Sequence, residues 1–289
     1  MTDIRAIVKD AAEKLVCSDA PGFDAWELFT FVTHIGRNDV LLNPEREVSE
    51  ENLKKFSSLV DKRATGYPLQ YILGEWDFYG YTFFVNENVL IPRCETEQIA
   101  DEVCKYLRNK SGKVIFDLCS GSGCIGLSIA ANNPDCRVYL FDISESALEC
   151  SEKSLRSMGL RNAEIVSCDI FSGYQGKGLP VPDVIVSNPP YVTREEYNTL
   201  QTEIFFEPEN AIVCDGDGLD FYRCIAEKWL PYLNDGGFFM FESGEEQPEK
   251  ITEILKSTSE FNYEKYSICC EDDMYGICRF VKGGEKNVV

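Results

Sequence analysis

Val114-Ile115-Phe116-Asp117-Leu118-Cys119-Ser120-Gly121-Ser122-Gly123-Cys124-Ile125-Gly126 changes character twice along its length. The opening is branched and aromatic, the composition of a buried strand. The middle is small, and its glycines let the backbone turn tightly and approach a ligand. Apolar residues then resume at helical spacing over 124–131. A strand, a tight turn and a helix in immediate succession are the opening of a parallel βαβ unit.

The pattern continues outward from this stretch. Strand-like runs at 113–118, 137–141, 163–168, 181–187 and 237–242 are interspersed with helical runs at 124–131, 144–158 and 219–233. Strands joined through helices need crossover connections, and hence a mostly parallel sheet covered on both faces. Runs at 263–270 and 277–281, separated by Asp272, Asp273 and Gly276, read as an antiparallel hairpin at a sheet edge. The expected fold is α/β with a mostly parallel seven-stranded sheet. Upstream, residues 4–16, 23–35 and 49–63 carry apolar residues three and four apart, as in Leu53, Phe56, Leu59 and Val60, and Asn43-Pro44 breaks between the last two. These form a small helical bundle. From Tyr67 the chain turns aromatic, and 71–85 suits a hairpin with a glycine-containing turn before a helix at 95–107. The expected organisation is a helical bundle over 1–66, a hairpin linker over 67–92 and the α/β domain over 93–289.

Composition narrows the function. The 289 residues are 44% hydrophobic and 12% aromatic, a globular mix unlike that of a disordered or fibrous chain. Lys and Arg number 28 against 49 Asp and Glu, a net charge of −21 whose field repels nucleic-acid backbones and attracts cations. No direct nucleic-acid binding is expected. No apolar run approaches the roughly 18 residues of a membrane-spanning helix, and the Met1-Thr2-Asp3-Ile4-Arg5 start lacks the bias of a signal or transit peptide. A cytoplasmic protein with no membrane partner is expected. The 13 cysteines lack framework spacing and read as reduced thiols. With no Cys-x-x-Cys pair and His34 the single histidine, no metal site and no Ser-His-Asp triad is expected. His34 reads as a structural or surface residue.

Ligands of open parallel sheets bind beyond the carboxyl ends of the strands. The first such end carries Asp117 and the Cys119–Gly123 turn, the second Asp142, the third Asp169, and the fourth Ser187-Asn188-Pro189-Pro190-Tyr191. Gly121-x-Gly123-x-x-Gly126 followed by Asp142 also satisfies the dinucleotide fingerprint, so the glycines alone leave a nicotinamide enzyme open. Asp117 shifts the balance, because a carboxylate there disfavours a pyrophosphate and suits a cationic ligand such as the sulfonium of S-adenosylmethionine. Asp142 is then placed to accept from both ribose hydroxyls and Asp169 from an adenine amino group. Any one of these acids alone reads as a cap or turn residue. Three at successive strand ends read as a pocket.

Asn188-Pro189-Pro190-Tyr191 is the most specific signal in the chain. Asn188 offers a carbonyl oxygen, and Pro189 has a carbonyl but no N–H. Two rigid acceptors can grip both hydrogens of a planar –NH₂ group. Tyr191 can stack on the flat amide or base, leaving the nitrogen aimed at a methyl donor.

These residues resemble S-adenosylmethionine-dependent methyltransferases with an Asn-Pro-Pro-Tyr motif, most closely the peptide chain release factor glutamine methyltransferases. The likeness runs over nearly the full length and includes Pro68-Leu69-Gln70-Tyr71-Ile72-Leu73-Gly74, Leu90-Ile91-Pro92-Arg93-Cys94-Glu95-Thr96-Glu97, Phe206-Glu207-Pro208 and Asp217-Gly218-Leu219-Asp220-Phe221-Tyr222. It implies a class I, Rossmann-like methyltransferase domain. The implied reaction is methyl transfer to the side-chain amide nitrogen of the glutamine in the Gly-Gly-Gln loop of bacterial class 1 release factors, supporting translation termination and leaving S-adenosylhomocysteine. The front domain helps to dock the substrate. Implied cofactor-binding residues are Asp117, Cys119, Ser120, Gly121, Ser122, Gly123, Asp142, Ile143, Asp169, Ile170 and Asn188. Asn188, Pro189, Pro190 and Tyr191 hold the substrate, with Asn188, Pro189 and Tyr191 catalytic. The chain departs from the family at Cys119, where Gly is usual, at Cys94, where Pro is usual, and at Ile170, often aromatic. Arg93 stands either near the pocket mouth or in a salt bridge between linker and domain.

Three other readings compete. Methylation of the adenine amino group of DNA or RNA presents the same –NH₂ geometry, but the charge opposes it and no basic stripe supports it. A nicotinamide oxidoreductase leaves Asn188–Tyr191 without a use, and so does a non-catalytic adaptor that only binds the cofactor.

Overall fold

The computed structural model describes residues 3–43, 46–176 and 178–285. The chain forms two compact units, the first comprising the described residues up to Glu75 with Gln201–Phe206, the second Trp76–Leu200 with the described residues from Glu207.

In the first unit, Asp3 caps α1 (Ile4–Lys14) by accepting from the Arg5 and Ala6 amides. Pro21 opens α2 (Pro21–Thr33), which ends at His34 in the left-handed region, φ 54. The exposed His34 is thus a helix-terminating residue. A short α3 (Arg37–Leu42) precedes α4 (Glu50–Arg63), capped by Ser49. The expected break at Pro44 lies outside the described residues. Ile4, Val8, Leu15, Leu28, Phe29, Phe56 and Val60 are buried between the helices. Arg63 is buried with them and donates to Asp24 at 2.7 Å, Glu203 at 3.0 Å and the Tyr67 carbonyl at 3.2 Å. Three acceptors meet the requirement that a buried charge be paired. One expectation is corrected here: Leu69–Leu73, partly placed in the hairpin stretch, is a helical turn, α5, ended by Gly74 at φ 78.

Hairpin β1 (Glu75–Phe78) and β2 (Tyr81–Phe84) follows, all of it from Trp76 onward in the second unit. Tyr79 and Gly80, both at positive φ, turn it in the primed sense that matches strand twist. Then follow α6 (Glu97–Leu107), β3 (Val114–Leu118), α7 (Cys124–Asn132), β4 (Arg137–Asp142), α8 (Glu145–Ser157), β5 (Ala163–Ser167), β6 (Val184–Ser187), α9 (Arg194–Tyr197), α10 (Asp220–Lys228), β7 (Phe238–Glu242), α11 (Pro248–Ser257), β8 (Tyr266–Asp272) and β9 (Cys278–Glu285). Strand order is β5-β4-β3-β6-β7-β9-β8, parallel except for the two pairings of β9. The seven-stranded sheet with an antiparallel edge hairpin is as expected. β6 starts late because Pro182 has no N–H, and Asp183 instead accepts from the Val114 amide at 2.9 Å and Lys113 at 2.9 Å. The sequence reading omitted α11, which begins at Pro248 and buries Ile251 and Leu255.

Both faces of the sheet are buried along its central strands β3, β4, β6 and β7, which alternate between two cores rather than between core and water. Phe116, Leu118, Tyr139, Phe141, Ile185, Phe239 and Phe241 pack with Trp229 on one side. Ile115, Val138, Leu140, Val184, Val186 and Met240 pack under α6 and α7 on the other. Asp117 shares the parity of Ile115 and is fully buried under α7. The chain moves from β3 to β4 and β5 on one side, then returns to β6 and β7 on the other. The cleft between β3 and β6 is the switch point where a ligand fits.

α7 lies close to β3 because Gly126 has no side chain. A Cβ there would stand 2.9 Å from Asp117 Oδ2 and 3.0 Å from Leu140 Cγ. Gly126→Ala should therefore lower the unfolding free energy in urea titration by about 2–4 kcal/mol. Gly22→Ala, with nothing within 4 Å of the new Cβ, should change it by no more than about 1 kcal/mol. Equal effects would contradict this account of the α7–β3 contact.

Candidate active site

The turn after β3 alternates into the left-handed region at Cys119, Gly121 and Gly123, with φ of 59, 54 and 79. Its coils are tied to the next strand. Ser120 N donates to the Phe141 carbonyl at 2.9 Å, Gly121 N to Asp142 Oδ2 at 2.8 Å, and Ser151 Oγ to the Gly121 carbonyl at 2.7 Å. Beneath the turn, Asp117 Oδ2 accepts from Gly126 N at 2.8 Å and Oδ1 has no partner. Burial pushes this carboxyl up to about 7. Cys119 adopts a conformation that costs a non-glycine residue about 1 kcal/mol. Burial holds its thiol well above its ordinary range.

A cavity of about 350 Å³ opens at the carboxyl ends of the strands. Of the residues expected to bind a cofactor, Cys119, Ser120, Gly121, Ser122, Asp142, Ile143, Asp169, Ile170 and Asn188 line it; Asp117 and Gly123 lie behind the wall. Asp142 Oδ1 accepts from Ser144 N at 2.9 Å while Oδ2 holds Gly121, and burial raises its pKa above the ordinary carboxylate value. Asp169 caps the next turn by accepting from Phe171 N at 2.9 Å. Both acids keep lone pairs for a ligand beyond these backbone bonds. The Ser120 hydroxyl is buried in the wall without a partner. The aromatic surface missing at Ile170 appears one residue later: Phe171 and Phe221 both line the cavity, edge to face at 5.0 Å. Phe221 comes from α10, beyond the reach of local pattern reading.

Asn188 and Pro190 line the same cavity; Pro189 and Tyr191 do not. Ser187 is fully buried and donates to the Leu118 carbonyl at 2.7 Å, fixing the end of β6 against β3. Asn188 Nδ2 donates to Thr96 Oγ1 at 3.3 Å, and Thr96 Oγ1 donates to Glu242 Oε2 at 2.6 Å. Burial pushes the Glu242 carboxyl up to about 7. Burial, then the Glu242 charge, raises the Tyr191 phenol. The Tyr191 carbonyl accepts from Gln247 Nε2 at 2.9 Å. Arg93 lines the cavity, and its ion pair is with the buried Glu207 of the same unit rather than between linker and domain; the other Glu207 oxygen accepts from Ile91 N at 2.9 Å. Thr96 and the 90–93 segment belong to the stretch that carried the family likeness, but no local pattern assigned them to the pocket.

A family model described as PrmC N-terminal domain matches residues 6–74, and one described as Methyltransferase small domain matches residues 100–220. The release factor glutamine methyltransferase of Fusobacterium nucleatum subsp. nucleatum is 35% identical over 241 residues, 83% of this chain and 68% of that one. That of Clostridium botulinum (strain Hall) is 32% identical over 261 residues, 90% of each chain. A solved structure from Streptococcus mutans, provisionally named a SAM-dependent methyltransferase, aligns over 71% of this chain and 52% of that one with a TM-score of 0.51 at 12% identity, a likeness of fold alone. By identity sustained over most of both chains, this chain belongs to the release factor glutamine methyltransferase family.

Proposed function

We propose that this chain transfers the methyl group of S-adenosylmethionine to the side-chain amide nitrogen of the glutamine in the Gly-Gly-Gln loop of class 1 release factors, in the cytoplasm, with the helical front unit docking the substrate. The observation that carries the reading is one shared wall. Asn188, whose side-chain carbonyl suits a planar amide, lines the same cavity as Asp142 and Asp169, suited to a nucleoside.

The residues present fit the methyl donor. Asp142 would accept from the ribose hydroxyls and Asp169 from the adenine amino group. Ile143, Ile170, Phe171 and Phe221, which line the cavity, would cover the base by apolar and aromatic contact. The unpartnered Ser120 hydroxyl takes a polar group of the amino-acid end. Asp117, behind the turn, acts through shape and field: it holds Gly126 and leaves Oδ1 facing no cation of its own. Cys119 narrows the wall where the family usually has Gly. When bound, S-adenosylmethionine supplies an electrophilic methyl on a sulfonium sulfur and leaves as S-adenosylhomocysteine.

The amide nitrogen is a weak nucleophile, so positioning carries the rate, and near-attack geometry alone is worth about 7–11 kcal/mol. Asn188 Oδ1 and the Pro189 carbonyl accept the two amide hydrogens, and Tyr191 packs behind the planar group. As positive charge grows on nitrogen these two acceptors strengthen. The acidic proton is lost to solvent after attack, with no covalent enzyme intermediate. The net charge of −21 weighs against methylation of an adenine in DNA or RNA.

Incubation with methyl-labelled S-adenosylmethionine should label a bacterial class 1 release factor and leave unlabelled both the same factor with its Gly-Gly-Gln glutamine changed to alanine and adenine-containing DNA and RNA. Label on nucleic acid, or on the alanine variant, overturns the assignment. Asn188→Ala should lower kcat by about 100-fold or more while cofactor affinity stays within about threefold, because the lost contact is made to the reacting amide. Comparable losses in both would remove Asn188 from that role.

A further inference from the structure

The reaction proposed above needs a carbonyl, not an –NH₂ group, on the cavity side of Asn188. A primary amide has both edges, and turning it over would set hydrogens against the hydrogens of the substrate. Some other part of the molecule must choose between them.

We propose that Thr96 and Glu242 are positioning residues that fix the Asn188 amide with its oxygen toward the substrate. Glu242, the last residue of β7, is buried, and in its ionised form, present above about pH 7, it can only accept. Thr96, buried just before α6, has a single hydroxyl hydrogen, which Glu242 Oε2 takes at 2.6 Å. The hydroxyl then has only lone pairs left for Asn188, whose Nδ2 donates to it at 3.3 Å. An acceptor at the end of β7 is thereby relayed, through one hydroxyl, into an acceptor at the end of β6. Arg279, paired with Asp273 at 2.7 Å, and Arg93, paired with Glu207, both act on Glu242 through their charge and favour its ionised form. The Glu242 backbone is fixed in turn by Tyr222, which donates to its carbonyl at 2.6 Å. Thr96, Asn188 and Glu242 are far apart in sequence and meet only because β6 and β7 are neighbours with α6 starting over their ends.

This inference rests on the function proposed above, so its test has one arm that needs neither cofactor nor substrate. The side-chain amide of Asn188 is observed in the ¹⁵N-labelled protein, assigned by its loss in Asn188→Asp, and its exchange with solvent is timed. Thr96→Val keeps shape and removes the hydroxyl; Thr96→Ser keeps the hydroxyl. Thr96→Val should speed that exchange by about tenfold or more, and Thr96→Ser should leave it close to the native rate. In the second arm, methyl transfer to a release factor, Thr96→Val should lower kcat by about tenfold or more with cofactor Kd within about threefold, and Thr96→Ser should restore most of kcat. Thr96→Ala serves if Thr96→Val does not fold, and must behave in the same way. Unchanged exchange and kcat in Thr96→Val, or equal impairment of Val and Ser variants, overturns the proposal. Native protein that methylates no release factor overturns the proposed function instead, and the exchange arm alone then decides the positioning.

Discussion

One hydrogen bond inside the sheet sets the geometry around the pocket: Gly126 N to the buried Asp117 carboxylate, 2.8 Å, with no other partner on that side chain. A carboxyl oxygen at the end of β3 holds the first turn of α7 against the strand. The intervening residues must then reverse direction in very little space, which they do through three left-handed positions. The turn this creates faces its backbone toward Asp142, whose two oxygens are engaged by Gly121 and Ser144. The first and second strand ends are thus locked together before any ligand arrives. Preorganisation of this kind removes the cost of ordering a loop on binding.

The second dependency is topological. Because the chain reverses its direction of travel across the sheet between β5 and β6, the ends of β3 and β6 adjoin with no crossover above them. Asn188 and Pro190 follow β6, Asp142 ends β4 and Asp169 follows β5, so the residues proposed to hold a nucleoside and those proposed to hold an amide line one cavity. The two proposed roles need no special loop to bring them together. Parallel pairing of adjacent strands accomplishes it, as the Leu118 and Ser187 register illustrates.

Much of this was legible in the sequence, for physical reasons that also mark the limits. Runs buried on both faces have strong apolar signatures, so the parallel strands stood out. Turn residues at strand ends are small or acidic for steric and capping reasons, so Asp142, Asp169 and the Cys119–Gly123 turn stood out as well. Leu69–Leu73 was misread because an apolar run of that length has no decisive period, and only Gly74 says where the turn stops. Asp117 was assigned to the ligand by its charge, but strand parity puts its side chain under α7. Glu242 carries no local mark, and Thr96, Glu207 and Phe221 stand in stretches that carried the family likeness without any pattern giving them a place in the pocket. Their contacts depend on which elements adjoin in space. Arg93 is intermediate: the sequence offered the pocket mouth or a linker-to-domain ion pair, and the fold puts it at the cavity, paired with Glu207 inside the second unit.

The central claim is that the strand-end acids form a nucleoside site whose charge is matched to hydroxyl donors. Calorimetric titration of S-adenosylhomocysteine into the native protein and into Asp142→Asn tests it most directly. The account predicts a single site in the native protein and a loss of about 10–100-fold in affinity in the variant, the worth of a charged hydrogen-bond acceptor. Equal affinity in the two proteins would contradict it.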